Sequence, residues 1–445
     1  MAHASLEKFR AVTDRNVLRL QEAKQAGRKV VGQYCIYTPL EMVLAAGAIP
    51  VSLCGTKNDS IPAAEAMLPR TLCPLIKSSF GFVLQDSCPY LAASDLVVAD
   101  TTCDGKKKMF ELLAKRKPVF VLQLPQTQDA DALSSWRRQL ELFKDRLEED
   151  FGVELTESGL RDAIALSDRF RQALKRVLDL GRRKPSPLTG MELMEVAFRA
   201  SFMPDYEERI QELDALADAF GSEGAEAAPA SAPRIVLTGV PTGMGSHKVV
   251  QLLQDCGASV VCIDNCSCYK KVRDNPEAAG DALDVLAARS LDIPCAVMSP
   301  NPGRYAAVGK GIVRDGVTVV YAAMSPSTDL LFDPNMIWHY GLKGRPRYSA
   351  ALSEEQIMKN LTSRRVWHAC GSADTNPKGG LDRTPTAMLQ GSNRYERFRN
   401  FEAHVKKFPE WAKQASFHTF EGLAHDTDSA HTDKAFIDFA LGRTE

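Results

Sequence analysis

The sequence predicts an α/β protein built on parallel sheets, and three observations support this prediction. Short apolar runs alternate with amphipathic helical stretches, as in RKVVGQYC, TPLEMVLAAGA and IPVSLCG, which together form a strand–helix–strand unit. The same alternation returns later in RIVLTGV, SHKVVQLLQDCG and ASVVCIDNC. The composition, 44% hydrophobic and 25% charged, is that of an ordinary globular protein. A chain of 445 residues is long enough for two or three domains.

The pattern divides the chain into five segments. SDLVVAD and PVFVLQLP complete a first α/β domain that follows an N-terminal helix, and the stretch after it is charged, amphipathic and helical, typical of a solvated layer. GSEGAEAAPASAP has the composition of a linker. The predicted segments are 1–150 (N-terminal helix and first domain), 151–220 (helical segment), 221–233 (linker), 234–303 (second, truncated domain) and 304–445 (C-terminal segment).

Charge and hydropathy narrow the partners and the compartment. The 55 basic and 56 acidic residues leave a net charge of -1, so no long-range field attracts nucleic acid or an anionic membrane. The N-terminal stretch mixes charged and apolar residues, and no run is long enough to span a membrane. We therefore expect a cytoplasmic protein without nucleic-acid or membrane partners. In a reducing compartment, 11 cysteines indicate metal or redox chemistry, although about half could be small buried hydrophobes.

A candidate site lies where the apolar strand in SDLVVADTTCDGKKKMFELL ends at Cys103. Ligands of parallel sheets bind in the crevice beyond the carboxyl ends of the strands. Cys54, Cys73, Cys88 and Cys103 follow one another at intervals of 19, 15 and 15 residues, too wide for CxxC pairs, so a cluster would need ligands from separate elements. From spacing alone, metal ligands and buried thiols both remain open.

Two other motifs of the sequence have two interpretations each. Lys106, Lys107 and Lys108 could offset the charge of a bound group or meet an acidic partner, or they could form a solvated helical turn. The turn PTGMG follows a strand, as a nucleotide-binding loop does, but its glycines match neither GxGxxG nor GxxxxGK. A tight strand-to-helix turn is the favoured interpretation of PTGMG.

Several long motifs, in order, resemble the 2-hydroxyacyl-CoA dehydratase family over about residues 5–302. They are GRKVVGQYCIYTPLEMVLAAGAIPVSLCG, LPRTLCPLIKSSFGF, CPYLAASDLVVADTTCDGKKKMFELL, LTGVPTGMGSHKVV and IPCAVMSPN. The resemblance is closest to the branch of double-cubane cluster proteins, which are related to the benzoyl-CoA reductase subunits. It implies Rossmann-like domains with an iron–sulfur cluster, of the 4Fe-4S or double-cubane type, in the crevice between them.

The resemblance also implies partners and ligands. An ATP-hydrolysing iron–sulfur activator would deliver a low-potential electron for the reductive dehydration of an acyl-CoA or the reduction of a small molecule. A homodimer, or a heterodimer with a related subunit, is expected. Carried over to this chain, Cys73 and Cys103 match the ligand-bearing motifs best, followed by Cys88, Cys266 and Cys295, with a weaker match for Cys35.

The C-terminal part, about residues 304–442, instead resembles the end of an α/β-hydrolase. Asp374 after RRVWHACGSA and His425 after SFHTFEGLA stand where a hydrolase has its acid and its base, with His431 as a substitute if the alignment slips. No GxSxG occurs in the chain, so an acid and a base without a nucleophile are expected. A natural fusion, a recombinant chimera and a gene-model error could each join two such families.

Three functions therefore compete. The leading hypothesis is an iron–sulfur redox enzyme, a lyase or reductase, although one ligand expected from the family's missing C-terminal segment is absent. The second is an esterase carried by the hydrolase-like tail, disfavoured by the missing serine. The third is a scaffold that pairs with another protein and performs no chemistry. Cys370 lies in the tail and is expected to be a buried strand thiol.

Overall fold

The computed structural model describes residues 2–53, 55–222, 224, 227–314, 319–320, 353–363, 365–376, 381, 383, 385–425 and 427–440. The chain forms two compact units, Met1–Val320 and Tyr321–Glu445. Parallel sheets and many helices confirm the predicted α/β class. Cys54 lies outside the described residues. No helix in the described part of the chain is both long and apolar enough to cross a membrane.

The first unit contains two parallel sheets. One has the strand order β2-β1-β3-β4 and the other the order β6-β5-β7. The strands are β1 (Val30–Gln33), β2 (Ile49–Ser52), β3 (Leu96–Asp100), β4 (Val119–Leu122), β5 (Arg234–Thr238), β6 (Ser259–Asp264) and β7 (Val319–Val320). The helices are α1 (Ala2–Asp14), α2 (Asn16–Gln25), α3 (Leu40–Ala45), α4 (Ile61–Ala64), α5 (Pro74–Leu84), α6 (Pro89–Ala93), α7 (Asp104–Leu113), α8 (Ala130–Phe151), α9 (Glu157–Leu180), α10 (Gly190–Ala200), α11 (Tyr206–Ser222), α12 (Lys248–Asp255), α13 (Ala282–Leu291) and α14 (Pro302–Arg314).

The first sheet is buried on both faces, which is why its strands are continuous apolar runs. Val31 and Val98 face a core that includes α8 and α13. Val30 and Val97, one residue away in each strand, face a second core that includes α5 and α7. Successive side chains of a strand point to opposite faces, so neighbouring valines stabilise different layers.

The helices α8 to α11 are more deeply embedded than the sequence pattern indicates. On α8, Trp136, Leu140, Phe143 and Leu147 are fully buried. Helices α9, α10 and α11 contribute to a core that they share with β5 and β6. The expected solvated layer is therefore solvated only on its outer side, and its inner side fills the space beside both sheets.

Gly32 in β1 shows how closely the elements around the first sheet approach. A Cβ atom at this position would lie 2.3 Å from Leu53 Cδ1 and 2.7 Å from Ser94 Oγ. These separations are too short for any side chain. Glycine therefore allows the end of β1 to lie against its neighbours, shortly before Cys35.

The second unit contains the parallel pair β8 (Val366–Gly371) and β9 (Ala415–Phe420). Its described helices are Glu354–Thr362, Pro385–Met388, Arg394–Val405, Pro409–Ala412, Thr427–Thr432 and Lys434–Ala440. Phe401, Val405 and Trp411 form one small core of this unit, and Phe420 and Phe436 form another.

Candidate functional site

A cleft of about 170 Å³ in the first unit lies beyond the carboxyl ends of β1 and β6. Its walls come from the segments that follow these two strands, from α7, and from the helices α9, α10, α11 and α13. This is the position at which parallel α/β sheets bind their ligands. The cleft contains two cysteines, several basic side chains and a group of aromatic side chains.

Cys35 and Cys266 meet in this cleft. Cys35 follows β1, Cys266 follows β6, and their thiols share a hydrogen bond that, together with burial, raises the pKa of Cys35 well above its usual value. Cys35 has φ 72°, a left-handed conformation that is uncommon for a residue other than glycine. Backbone strain of this kind is concentrated at functional sites.

Asp100, the last residue of β3, is a fully buried carboxyl group beside Cys35. Its carboxyl oxygens have only weak hydrogen bonds, from Thr102 and Cys35. Burial raises the pKa of Asp100, and the nearby Lys106 opposes that rise. A buried carboxyl group without full hydrogen bonding is costly, so its presence beside a thiol pair indicates a functional rather than a structural role.

The three adjacent lysines of α7 have different surroundings. Lys106 lines the cleft, and its charge acts on Cys35 and Asp100. Lys107 instead pairs with Asp104 at 3.2 Å and Lys108 with Glu111 at 2.8 Å, both on the exposed surface. The interpretation as a charge close to a binding site therefore applies to Lys106. Lys107 and Lys108 instead belong to a solvated helical turn.

Tyr37 extends the site towards Cys295. Tyr37 is fully buried, and burial, followed by the neighbouring Cys295, raises its pKa. Its hydroxyl group has no well-formed hydrogen bond within the described residues. Cys35 also contributes to the raised pKa of Tyr37, which places Cys35, Tyr37 and Cys295 in one neighbourhood.

Cys73 and Cys103 occupy equivalent positions, each immediately before a helix. Cys73 precedes α5, Cys103 precedes α7, and both are exposed. A Cβ atom at Gly105 would lie 2.8 Å from atoms of both Leu72 and Ile76, so the beginnings of α5 and α7 pack together. The two cysteines thus border the same helix contact, but no hydrogen bond joins them.

The other sequence-predicted cysteines are placed apart from this helix contact. Cys88 precedes α6, its sulfur accepts a hydrogen bond from Leu91 N at 3.4 Å, and burial raises its pKa. Cys266 lies in the cleft and Cys295 beside Tyr37. In the described part of the chain, no three His, Cys, Asp or Glu side chains form a metal-binding group. The structure therefore brings together the thiols of Cys35 and Cys266, and it does not gather the five predicted ligands.

The PTGMG turn is held by its own hydrogen bonds. Gly243 N donates to Ser246 Oγ at 3.1 Å, and Asn265 Nδ2 donates to Val240 O and to Thr242 Oγ1 at 3.1 and 2.7 Å. These bonds hold the turn against the end of β6, as a tight strand-to-helix connection requires.

In the second unit, Asp374 and His425 are in contact. His425 Nδ1 lies 2.8 Å from Asp374 Oδ2, with the carboxyl group buried and the imidazole 54% exposed. Arg394 Nη1 is 3.7 Å from the other carboxyl oxygen. The pair has the arrangement in which an acidic side chain orients a histidine. The His431 side chain lies outside the described part. Cys370 lies in β8, as predicted, but it is half-buried rather than buried, and this partial burial raises its pKa to about 11.

Sequence comparison identifies the family of the first unit. The family model described as 2-hydroxyglutaryl-CoA dehydratase, D-component, matches residues 35–325. This chain belongs to that family. The match begins at Cys35 and includes every described residue that lines the cleft except Gln33.

Three relatives illustrate the breadth of the dehydratase family. The dehydratase subunit YjiM of Escherichia coli (strain K12) is 42% identical over 305 residues, 68% of this chain and 79% of the relative. The (R)-phenyllactyl-CoA dehydratase beta subunit of Clostridium sporogenes is 23% identical over 63% of this chain and 73% of its own length. A benzoyl-CoA reductase subunit of Thauera aromatica is 23% identical over 59% of this chain and 68% of its own length.

Asp100, Tyr37 and Lys270 are site residues that were not among the predicted ones. Asp100 ends the strand LVVAD, and an acidic residue closing a fully buried strand is a signal that the sequence does contain. Lys270 lines the cleft and is 3% exposed, but nothing in CSCYKKVRD distinguishes it from a surface lysine. Its burial depends on elements distant in sequence.

Proposed function

We propose that this chain is a redox subunit of the 2-hydroxyacyl-CoA dehydratase type that binds an iron–sulfur cluster, of the 4Fe-4S or double-cubane type. The observation that carries the proposal is the half-buried thiol pair Cys35 and Cys266, beside Asp100, in the cleft of a dehydratase-family unit. Thiolates are the ligands of such clusters, so the donor chemistry fits. When bound, the cluster would supply a low-potential electron.

The proposed ligand set includes Cys73, Cys103, Cys88, Cys266 and Cys295, to which the contact with Cys266 adds Cys35. Lys106 would offset the negative charge of thiolates, since its charge already opposes the pKa rise of Cys35. The buried side chains of Asp100 and Tyr37 would limit the access of water and hold a proton near the substrate. Charge, hydrogen bonds to sulfur and solvent exposure are what set the potential of a cluster.

The reaction that we propose is reductive dehydration of an acyl-CoA, or reduction of a small molecule. The relatives support this class because one of them is named as an acyl-CoA dehydratase beta subunit and another as a benzoyl-CoA reductase subunit. Beta subunits imply a second chain, so we propose a heterodimer with a related subunit or a homodimer. An ATP-hydrolysing iron–sulfur activator would deliver the electron.

Anaerobic reconstitution with iron and sulfide, followed by iron analysis and EPR, tests the cluster. We expect at least about one iron per chain, lost when Cys73, Cys103 or the Cys35–Cys266 pair is replaced by alanine. Cys370→Ala, which removes a cysteine of the second unit, is the matched control and should retain the iron. Iron content that is unchanged by all of the cysteine variants of the first unit would refute the proposal.

The contact between His425 and Asp374 suggests ester hydrolysis as a second candidate function, which we propose that the second unit does not perform. The pair could accept a proton during hydrolysis of an activated ester, but without an elbow serine we propose that it forms no acyl-enzyme and leaves the second unit inactive as an esterase. Hydrolysis of p-nitrophenyl acetate should therefore be the same in the wild type and in His425→Gln. A burst of product that His425→Gln abolishes would contradict this.

A further inference from the structure

The cleft is strongly basic, although the chain as a whole is nearly neutral. Seven lysine or arginine side chains line it, and Glu41 is its one acidic lining residue among those described. Glu41 is already occupied, because it accepts hydrogen bonds from Arg171 and Ser167. Basic side chains therefore outnumber acidic ones in the described lining of the cleft, and the net charge of -1 for the chain gives no reason to expect such a concentration.

Lys270 is the most deeply buried lysine of this basic lining. It belongs to the one-turn 3-10 helix Tyr269–Lys271 and is 3% exposed. Its backbone N–H donates to Asn265 O at 3.1 Å, but within the described residues its ammonium group has neither a hydrogen bond nor an ion pair. The side chain is largely enclosed by protein, so a ligand with a negative charge that enters the cleft would give the ammonium group an ion-pair partner.

The neighbours of Lys270 are committed to other partners. Arg273 donates to Lys270 O at 3.1 Å and to Arg289 O at 2.5 Å, and Arg289 donates to both carboxyl oxygens of Asp168 at 3.1 and 3.0 Å. Lys271 donates to Ser201 Oγ at 2.8 Å. These contacts hold the basic wall in position and leave the Lys270 ammonium for a ligand.

An aromatic wall and the size of the cleft restrict the ligand further. The rings of Phe198 and Phe202 meet edge to face at 5.0 Å, and those of Phe170 and Tyr206 at 5.5 Å, which gives this wall an apolar surface beside the guanidinium group of Arg209. A volume of about 170 Å³ is smaller than the roughly 300–1,000 Å³ of a site for a drug-sized ligand, so a whole nucleotide does not fit. A molecule of a few carbon atoms with one charged end does.

We propose that the cleft binds a small aliphatic carboxylate, free or as the terminal carboxylate of an acyl chain, which pairs with Lys270 and lays its carbon chain against the aromatic wall. This inference rests on the proposed function and deepens it by naming the class of substrate. The carboxylate is held by an ion pair inside a largely closed site, where such a pair is stronger than at the surface.

Calorimetric titration of the iron-free, full-length protein tests the inference independently of cluster chemistry. Butyrate should bind and butyramide, which has nearly the same shape without the charge, should not. Lys270→Met should weaken butyrate about 10- to 100-fold. Lys270→Arg keeps the charge and should stay within about threefold of the wild type. Lys115→Met, at an exposed position outside the cleft, is the matched control and should have no effect.

Two further comparisons identify the source of the carboxylate. Tighter binding of succinyl-CoA than of butyryl-CoA, lost in Lys270→Met, would assign it to the end of an acyl chain. If the two thioesters bind with equal affinity while the binding of butyrate depends on Lys270, the carboxylate would be assigned to a free acid. Three results would each overturn the inference. Butyramide could bind with the same affinity as butyrate, or equimolar inorganic phosphate could displace butyrate. The affinity for butyrate could also be unchanged in a folded Lys270→Met variant. Cluster loading that fails while butyrate binds would refute only the proposed function.

Discussion

Glu41→Gln is the most informative single substitution, because it should change stability and ligand binding in opposite directions. Glu41 on α3 is 3% exposed and joins two residues of α9, accepting from Ser167 at 2.7 Å and pairing with Arg171. Removal of one partner from a buried ion pair costs about 3–5 kcal/mol. Glutamine keeps an oxygen acceptor of the same shape, so we expect a loss of about 2–3 kcal/mol in the free energy of unfolding.

The matched control uses the same substitution on a neighbouring pair. Arg169 of α9 and Glu207 of α11 form two hydrogen bonds of 2.6 Å, but their side chains are 54% and 53% exposed. Glu207→Gln should cost at most about 1 kcal/mol in urea unfolding followed by circular dichroism. Glu41→Gln should also tighten butyrate binding, because it leaves Arg171 uncompensated in the cleft. Equal losses of stability in the two variants would refute the reasoning.

Three further predictions concern stability. Burial lowers the pKa of His368 from 6.5 to about 4, so between these two pH values the histidine is protonated only in the unfolded chain. As the pH falls from 6.5 to 4, the free energy of unfolding of the second unit should therefore decrease by up to about 3 kcal/mol. Unfolding curves of His368→Phe, measured over the same pH range, should lack this decrease. In chemical denaturation, Phe143→Ala should lower the free energy of unfolding by about 3–5 kcal/mol. Leu142→Ala, on the exposed side of the same helix, should lower it by less than about 1 kcal/mol. Equal losses in the two variants would contradict the embedded helical layer. Gly32→Ala should cost about 1–3 kcal/mol in thermal unfolding, whereas Gly309→Ala, with no atom near its Cβ position, should be neutral or stabilising.

The elements themselves could be predicted from local sequence. RKVVGQYC, IPVSLCG, SDLVVAD and PVFVLQLP contain β1 to β4, and RIVLTGV and ASVVCIDNC contain β5 and β6. Fully buried parallel strands are uninterrupted apolar runs, so their signal does not depend on the rest of the fold. The depth of α8 was not predictable in the same way, because Trp136 and Phe143 are buried by helices and strands from distant parts of the chain.

The cysteines show the same limit. Family motifs indicated Cys73 and Cys103 most clearly, and these cysteines border one contact between α5 and α7. The pair that the structure does bring into hydrogen-bond contact, Cys35 with Cys266, joins residues more than two hundred positions apart. Nothing in the local sequence of either residue identifies the other, because the contact arises only when β1 and β6 are both in place.

By itself, the sequence determined the α/β class, the positions of the parallel strands, the dehydratase family and the presence of cysteines and acidic residues at strand ends. Each of these is a local property, written in hydrophobic periodicity or in an ordered motif. Only the tertiary structure decided that Lys106, Lys270 and Asp100 surround one small cleft with Cys35 and Cys266. Burial and electrostatic surroundings depend on which distant elements pack together, so a buried lysine and a surface lysine look the same in the sequence.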